Sequence, residues 1–243
     1  MKRVKLLGYE IDTYDFQGAV AKATELMQTD KVTQVVTINP EMFETANIDN
    51  EFSQILKTAE MVIPDGIGVK IGLKLTGQNV DRIAGIDFAR EMINVAADNN
   101  LPVALIGAKP EILEKSVNNL KSEIKNLNIV YFQDGYFKDT NKVFESLKQT
   151  APKLILVALG SPKQEKFIYE AKKCLNPALM IGVGGSFDVW SGVVERAPKI
   201  YQKLGLEWLY RTVKQPERFK RIFPTLPLFV LKVLKYRIGG NKC

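Results

Sequence analysis

Residues 154–165 read LILVALGSPKQE, and this stretch indicates the fold of the chain. A run of six apolar residues leads into a turn of glycine, serine and proline, after which a helical pattern begins. Apolar runs of this kind, each followed by a turn residue and a segment of helical periodicity, recur along the chain. The apolar runs cover 32–38, 61–63, 103–106, 129–132, 154–159 and 179–183. The helical segments cover 86–97, 111–124, 142–147 and 164–174.

This alternation predicts an α/β fold, with a Rossmann-like, mostly parallel sheet and helices on both of its faces. Ligands of such sheets bind outside the carboxyl ends of the strands, so the residues that follow each apolar run are candidates for a functional site. These positions hold Thr37, Asn39, Gly107 and the segments 64–68, 134–136, 160–165 and 182–188.

Glycine and polar residues dominate these strand ends. Glycine lets backbone N–H groups approach a phosphate or a sugar closely, and a helix that starts there adds a favourable dipole. The alternative is that each glycine only serves the geometry of its turn. Because the polar or glycine-rich ends of several strands meet at one edge of the predicted sheet, the pattern favours a nucleotide or sugar site.

Several classes of chemistry are excluded by composition. The chain has no histidine and only two cysteines, so histidine-based triads, histidine-ligated metals and disulfide frameworks are excluded. It also lacks the G-x-G-x-x-G and G-x-x-x-x-G-K-[ST] phosphate loops and any D-x-D carboxylate pair. We therefore expect no metal and no cofactor. A bound pyrophosphate would be neutralised by arginine, lysine and backbone amides.

Positive charge is concentrated at the C-terminal end of the chain. From residue 196 onward there are twelve Lys and Arg residues against two acidic ones, whereas the first 195 residues carry 22 and 25. We therefore divide the chain into an α/β core, residues 1–195, and a basic helical appendage, residues 196–243. Its charge indicates an anionic partner: nucleic acid, anionic lipid or a phosphorylated ligand.

Leucine and aromatic residues lie between the basic residues of this appendage. This mixture is typical of an amphipathic element at a membrane interface, while an oligomer interface and a solvated basic face are the alternatives. We expect neither a signal peptide nor a membrane-spanning helix, because the first residues lack a signal-type apolar region and no window is apolar enough to span. We expect a cytosolic location or one on a surface that faces the cytosol.

Specific motifs occur at the strand ends and in the appendage. They are PDGIG at 64–68, RIAG at 82–85, GSPKQEK at 160–166, GVGGSFD at 182–188, RAP at 196–198, GLEWLYR at 205–211 and PER at 216–218. In order and spacing they resemble the N-acetylmannosaminyltransferases of the WecG/TagA/CpsF type, glycosyltransferase family 26. The resemblance runs from about residue 37 to residue 221.

The resemblance implies an inverting glycosyltransferase at the inner face of the cell membrane, to which the protein is peripherally bound. The implied donor is UDP-N-acetylmannosamine. The implied acceptor is N-acetylglucosamine joined through pyrophosphate to undecaprenol, and the product is the β-1,4 disaccharide of a wall teichoic acid linkage unit. Related members use N-acetylmannosaminuronic acid or glucose as the donor sugar, and these are the alternatives to N-acetylmannosamine.

Asp65 matches the catalytic aspartate of the family and is the candidate base. Capping of the helix that follows is the alternative, and we expect an exposed carboxylate with an ordinary pKa of about 4. Thr37 and Asn39 are candidates for sugar contacts, with a turn before the next helix as the alternative. Arg82 is a candidate partner of the leaving pyrophosphate, and Gln164 of the donor.

The other candidate residues form three groups. The UDP-sugar is assigned to Gly107, Gly160, Ser161, Gly184, Gly185, Ser186 and Asp188. The acceptor pyrophosphate is assigned to Arg211, Arg218 and Arg221. For Glu165 we expect a capping or salt-bridge contact.

Rival functions are a nucleic-acid-binding protein that uses the basic tail, a nucleotide-dependent oxidoreductase and a membrane-surface adaptor. The first and third leave the polar strand ends unexplained, and the missing dinucleotide fingerprint disfavours the second. We therefore expect no nucleic-acid partner, and the oligomeric state is not predicted.

Overall fold

A computed structural model describes residues 3–214 and 219–238 of the chain. Its strands are β1 (Arg3–Leu6), β2 (Tyr9–Asp12), β3 (Thr33–Ile38), β4 (Met61–Pro64), β5 (Val103–Gly107), β6 (Ile129–Gln133), β7 (Leu154–Ala158) and β8 (Leu179–Gly182). Its helices are α1 (Phe16–Met27), α2 (Pro40–Ile48), α3 (Asn50–Lys57), α4 (Gly66–Leu75), α5 (Gly85–Asp98), α6 (Pro110–Glu123), α7 (Thr140–Thr150), α8 (Lys163–Ala171), α9 (Ser186–Trp190), α10 (Lys199–Lys203), α11 (Glu207–Lys214) and α12 (Phe219–Ile238).

Six strands form one parallel sheet in the order β4-β3-β8-β7-β5-β6. Alternate residues of each strand face opposite sides, so Val35 packs with α1 and α5 while Val36 packs with α2 and α4. On the second side, α7 and α8 cover β5, β7 and β8. The predicted α/β fold with helices on both faces is confirmed.

A hairpin of β1 and β2 was not predicted from the sequence. The two strands pair antiparallel and bury Leu6 and Ile11 against the β4 end of the fold. The carboxylate of Asp12, which is buried, accepts hydrogen bonds from Arg3 Nε at 2.8 Å and from the backbone N–H of Val62 at 2.8 Å. This carboxylate joins the hairpin to the parallel sheet.

The C-terminal segment is helical in its described part, but α12 is not detached from the core. It packs against α2 and α4, where Phe229 and Val233 are fully buried, and Lys232 forms an ion pair with Glu44. Gly72 of α4 makes room for this contact, because a Cβ there would lie only 3.1 Å from the Phe229 ring. The division at residue 195 stays a prediction, although α12 contributes to the core.

The outer side of α12 exposes several apolar side chains, namely Leu228, Leu231 and Ile238. Within the described ranges, no helix is both long enough and apolar enough to cross a membrane.

Candidate active site

A cleft of about 420 Å³ lies at the carboxyl ends of β3, β4, β7 and β8. Residues from most of the predicted strand ends meet there. The candidate residues that line it are Thr37, Asn39, Asp65, Arg82, Gly160, Ser161, Gln164, Gly184, Gly185 and Ser186. The parallel register of the sheet brings together positions that are far apart in sequence.

Asp65 follows β4 and combines the two roles that the sequence left open. It is the N-cap of α4, where its Oδ1 accepts a hydrogen bond from the backbone N–H of Gly66 at 2.6 Å. The backbone N–H of Gly85, at the start of α5, also donates to this carboxylate. Because the same side chain lines the cleft, capping does not compete with a contact to a ligand.

The electrostatic surroundings of Asp65 differ from those expected. Burial raises the pKa of its carboxyl group, the nearby charge of Glu207 raises it further, and Arg82 together with the two backbone N–H donors opposes the shift. The expectation of an exposed aspartate with an ordinary pKa is therefore wrong, because Asp65 is partly buried at the carboxyl end of β4. A raised pKa makes the ionised form a stronger base.

Thr37 and Asn39 lie beside Asp65. The side chain of Asn39 is the N-cap of α2 and accepts from the backbone N–H of Met42 at 3.1 Å, so the turn contact considered from the sequence is present. Gly85 lets α5 begin close to this strand edge, since a Cβ there would lie 3.1 Å from Thr37 and 3.2 Å from Asp65 Oδ2.

Arg82 precedes α5 and is partly buried at the wall of the cleft. Its Nη2 donates to the backbone carbonyl of Gln202, 3.2 Å away, which connects the wall to α10. Its positive charge acts on Asp65, so it is placed to stabilise negative charge in the cleft.

Gln164 and Glu165 begin α8 and are both buried. The Gln164 carboxamide accepts from the backbone N–H of Gly184 at 3.0 Å through Oε1, and donates through Nε2 to Glu165 Oε1 at 2.7 Å. Glu165 also accepts from its own backbone N–H and from Ser161, and burial raises the pKa of its carboxyl group. These contacts form a buried hydrogen-bond network, which the sequence did not indicate, and the N-cap of α8, Pro162, has no side-chain cap hydrogen bond.

Two residues assigned to the UDP-sugar lie outside the cleft lining. Gly107 has φ +115°, and a Cβ there would lie 2.3 Å from the carbonyl oxygen of Ala158, so its absence of a side chain has a packing reason. Asp188 lies in α9, where its backbone carbonyl accepts from Ser191 and Val194. A role of either residue in nucleotide binding stays a prediction.

The arginines assigned to the acceptor cannot be placed. Arg218 lies outside the described residues, as do the side chains of Arg211 and Arg221. Within the described parts of the chain, no group of three or more Cys, Asp or Glu residues is arranged to hold a metal ion.

No role was predicted from the sequence for the residues that the C-terminal helices and the turn before α11 contribute to the cleft. These are Gly205, Glu207, Trp208, Thr225 and Leu226. The motif GLEWLYR was the available signal, but its position opposite Asp65 depends on long-range packing.

Glu207 is the charged member of this group and is buried. Its Oε1 lies 3.9 Å from Arg196 Nε, while the guanidinium of Arg196 makes a bidentate contact with Asp87 at 2.5 and 2.6 Å. Arg196 therefore connects the start of α5 to α11. Glu207, beside it, is a second carboxylate at the cleft, after Asp65.

Comparison with known proteins assigns the chain to a family. Residues 4–243 match the profile of the glycosyl transferase WecG/TagA/CpsF family. The chain belongs to the WecG/TagA/CpsF family. It is also 39% identical over 202 residues to an N-acetylglucosaminyldiphosphoundecaprenol N-acetyl-beta-D-mannosaminyltransferase of Bacillus subtilis (strain 168). That match covers 83% of this chain and 78% of the relative.

Membership of the WecG/TagA/CpsF family makes the protein a glycosyltransferase. It accounts for the polar strand ends, which the nucleic-acid and adaptor interpretations left unexplained. The cleft around Asp65 is the candidate site of sugar transfer, because it combines a partly buried carboxylate, an arginine and two glycine-rich loops.

Proposed function

We propose that the protein transfers N-acetylmannosamine from UDP-N-acetylmannosamine to N-acetylglucosamine-pyrophosphoryl-undecaprenol. The product is the β-1,4-linked disaccharide of a wall teichoic acid linkage unit. The observation that carries this proposal is the 39% identity, over most of both chains, to the N-acetylglucosaminyldiphosphoundecaprenol N-acetyl-beta-D-mannosaminyltransferase of Bacillus subtilis. The cleft with Asp65 at the strand ends supports it independently, because its groups suit acid–base chemistry beside a phosphate.

Asp65 is proposed to act as the general base. As the acceptor hydroxyl oxygen attacks the anomeric carbon of the donor, its proton passes to the Asp65 carboxylate. The bond between that carbon and the UDP oxygen breaks, and UDP departs with the electron pair. Attack on the face opposite the leaving group inverts the configuration and gives the β linkage.

Positive charge for the departing UDP is assigned to Arg82. Arg82 is partly buried at the cleft wall, and its charge acts on Asp65 in the same cleft. Charge-assisted contacts there are stronger than in water. Thr37 and Asn39 are proposed to bind the sugar. The loops of Gly160–Ser161 and of Gly184, Gly185 and Ser186 are proposed to hold the nucleotide, with Gln164 between them. No metal is required in this proposal.

The acceptor is proposed to enter from a membrane surface beside α12. On α12, Leu231 and Ile238 are exposed by 55% and 85%, and the basic residue Lys235 lies between them in sequence. Apolar side chains flanked by basic ones suit the interface of an anionic membrane. Arg211, Arg218 and Arg221 are proposed to bind the acceptor pyrophosphate, a proposal that rests on their positions in the sequence.

Release of UDP from a panel of UDP-sugars, measured with a short-chain lipid-pyrophosphate-N-acetylglucosamine acceptor, tests the proposal. UDP-N-acetylmannosamine is expected to give the fastest acceptor-dependent release, and EDTA is expected to leave that rate unchanged. Faster release of UDP from UDP-N-acetylmannosaminuronic acid or UDP-glucose would contradict the proposal that UDP-N-acetylmannosamine is the donor. Loss of turnover under EDTA, restored by Mg²⁺ or Mn²⁺, would contradict the role of Arg82 as the partner of the pyrophosphate.

A further inference from the structure

Glu165 is a buried acid next to the cleft that the proposed chemistry does not use. Glu165 is only 2% exposed, and its Oε2 is buried with no hydrogen-bond partner among the described residues. Burying a carboxyl group costs free energy unless its contacts compensate. The contacts made by the other oxygen therefore indicate what the residue does.

Three elements at the edge of the cleft are connected through this carboxyl group. Ser161, from the loop after β7, and the Gln164 side chain both donate to it. Gln164 in turn accepts from the backbone N–H of Gly184, in the loop after β8. The two loops proposed to hold the nucleotide thus share one hydrogen-bonded chain, which ends at Glu165.

The direction of the Gln164 carboxamide depends on this chain. A carboxamide can rotate by half a turn, which exchanges its oxygen and its nitrogen at little steric cost. In the rotated form two N–H donors, from Gln164 and Gly184, would face each other. Glu165 accepts a hydrogen bond at the Nε2 end and therefore selects the orientation in which Oε1 receives the Gly184 N–H.

The two side chains also pack closely against the start of the glycine loop. A Cβ at Gly182 would lie 2.5 Å from Gln164 Nε2 and 3.1 Å from Glu165 Oε1. The carboxyl and carboxamide groups thus lie directly against the end of β8, where the glycine loop starts. A small rotation of Gln164 would be transmitted to the backbone of that loop.

We propose that Glu165 is a positioning residue for the nucleotide site. It fixes the Gln164 carboxamide, and through it the Gly184 loop, in the arrangement that binds the UDP moiety of the donor. This inference rests on the proposed function in one respect, that these two loops hold UDP.

The test uses the full-length protein labelled with ¹⁵N-glycine, in which amide exchange at Gly184 and its response to UDP are measured in one set of spectra. Glu165→Met keeps the volume and removes the acceptor, whereas Glu165→Gln keeps a carbonyl oxygen towards Gln164. Replacing a buried polar group by an apolar one of similar shape is often tolerated, and thermal unfolding checks that both variants are folded.

Glu165→Met is expected to speed amide exchange at Gly184 and to weaken UDP binding, each by about tenfold, the cost of roughly one hydrogen bond. Glu165→Gln is expected to keep Gly184 exchange and UDP binding within about twofold of the wild type, because it retains an acceptor oxygen. If residue 165 only filled space, Glu165→Met and Glu165→Gln would give the same result. In Gln164→Ala, the further change Glu165→Met should add little, because the two residues act through one contact.

Unchanged Gly184 exchange in Glu165→Met would overturn the inference, as would additive effects of the two substitutions. If UDP shifted no loop glycine of the wild-type protein, the assignment of these loops to the nucleotide would fail instead. The Gly184 exchange rates would still decide whether Glu165 positions the loop.

Discussion

At the scale of single residues, the two interpretations of Asp65 that the sequence left open are compatible. Its side chain caps α4 and lines the cleft at the same time, since one carboxylate has several acceptor positions. The sequence could place Asp65 at a strand end, but not its burial, because burial depends on α5 and α11 folding over it. Its pKa was therefore mispredicted while its position was not.

The pH dependence of turnover reports on this carboxylate. Asp65 must be ionised to accept a proton, and its pKa is raised, so kcat/KM should fall with decreasing pH at a higher pH than an aspartate of pKa about 3.9 would give. Arg82, Arg196 and Glu207 are the charged groups that act on it. Glu207→Gln removes a negative charge and should move this acidic limb to lower pH. An acidic limb near pH 4 in the wild type, or no movement in the variant, would contradict the assignment.

Stability gives a second readout of the same group. Since the folded protein holds the Asp65 proton more tightly than the unfolded chain does, stability falls as pH rises between the unfolded pKa, about 3.9, and the raised folded pKa. Asp65→Asn lacks this ionisation but can still accept from Gly66. Its Tm at pH 7 should equal or exceed that of the wild type, and the difference should shrink below pH 4.

The control for that comparison is Asp81→Asn, whose side chain is 77% exposed in the loop before α5. It should alter Tm little at either pH. A loss of Tm in Asp65→Asn that is larger at pH 7 than at pH 4 would show that the charged cap contributes more than burial costs.

At the scale of elements, periodicity in the sequence predicted the strands of the parallel sheet. It did not predict the β1–β2 hairpin or the packing of α12 against the core. The apolar runs predicted all six parallel strands: β4, β5, β7 and β8 are buried throughout and β3 nearly so, while the edge strand β6 is apolar in sequence although only partly buried. The β1–β2 hairpin was not predicted because charged residues alternate with the apolar ones, so neither strand forms an apolar run. The docking of α12 was not predictable either, since it depends on Gly72 and other α4 residues about 150 positions away.

Phe229→Ala and Leu231→Ala, two residues apart on α12, measure this docking. Phe229 is fully buried between α2 and α4, so its truncation should lower the free energy of unfolding by about 3 kcal/mol or more. Leu231 points outward and should cost less than about 0.5 kcal/mol. Urea denaturation of both variants makes the comparison, and equal effects would mean that α12 is not part of the folded core.

At the scale of the whole molecule, the two sides of α12 have different surroundings. One side of α12 completes the core and the cleft wall, and the other presents the exposed leucines. A core that ends at residue 195 would lack Phe229, Glu207 and Leu226. The sequence indicated the basic and apolar character of this segment, but not that it shares a core with the sheet.

The proposed membrane attachment can be tested separately from the chemistry. The double variant Leu228→Ser, Leu231→Ser changes only outward-facing residues, so it should bind anionic liposomes several-fold more weakly in co-sedimentation. Turnover of a soluble short-chain acceptor should stay within about twofold of wild type, because neither side chain lines the cleft. Unchanged liposome binding would contradict the proposal that the outer side of α12 contacts the membrane.

The central claim is that the cleft around Asp65 performs the transfer. Its most direct test compares wild type with Asp65→Asn for formation of the disaccharide from UDP-N-acetylmannosamine and a short-chain acceptor, alongside UDP affinity. We predict a fall in turnover of about 10²–10⁴, typical of losing a positioned base, with UDP affinity little changed. Turnover in Asp65→Asn within a factor of a few of wild type would contradict the claim and leave Asp65 a helix cap only.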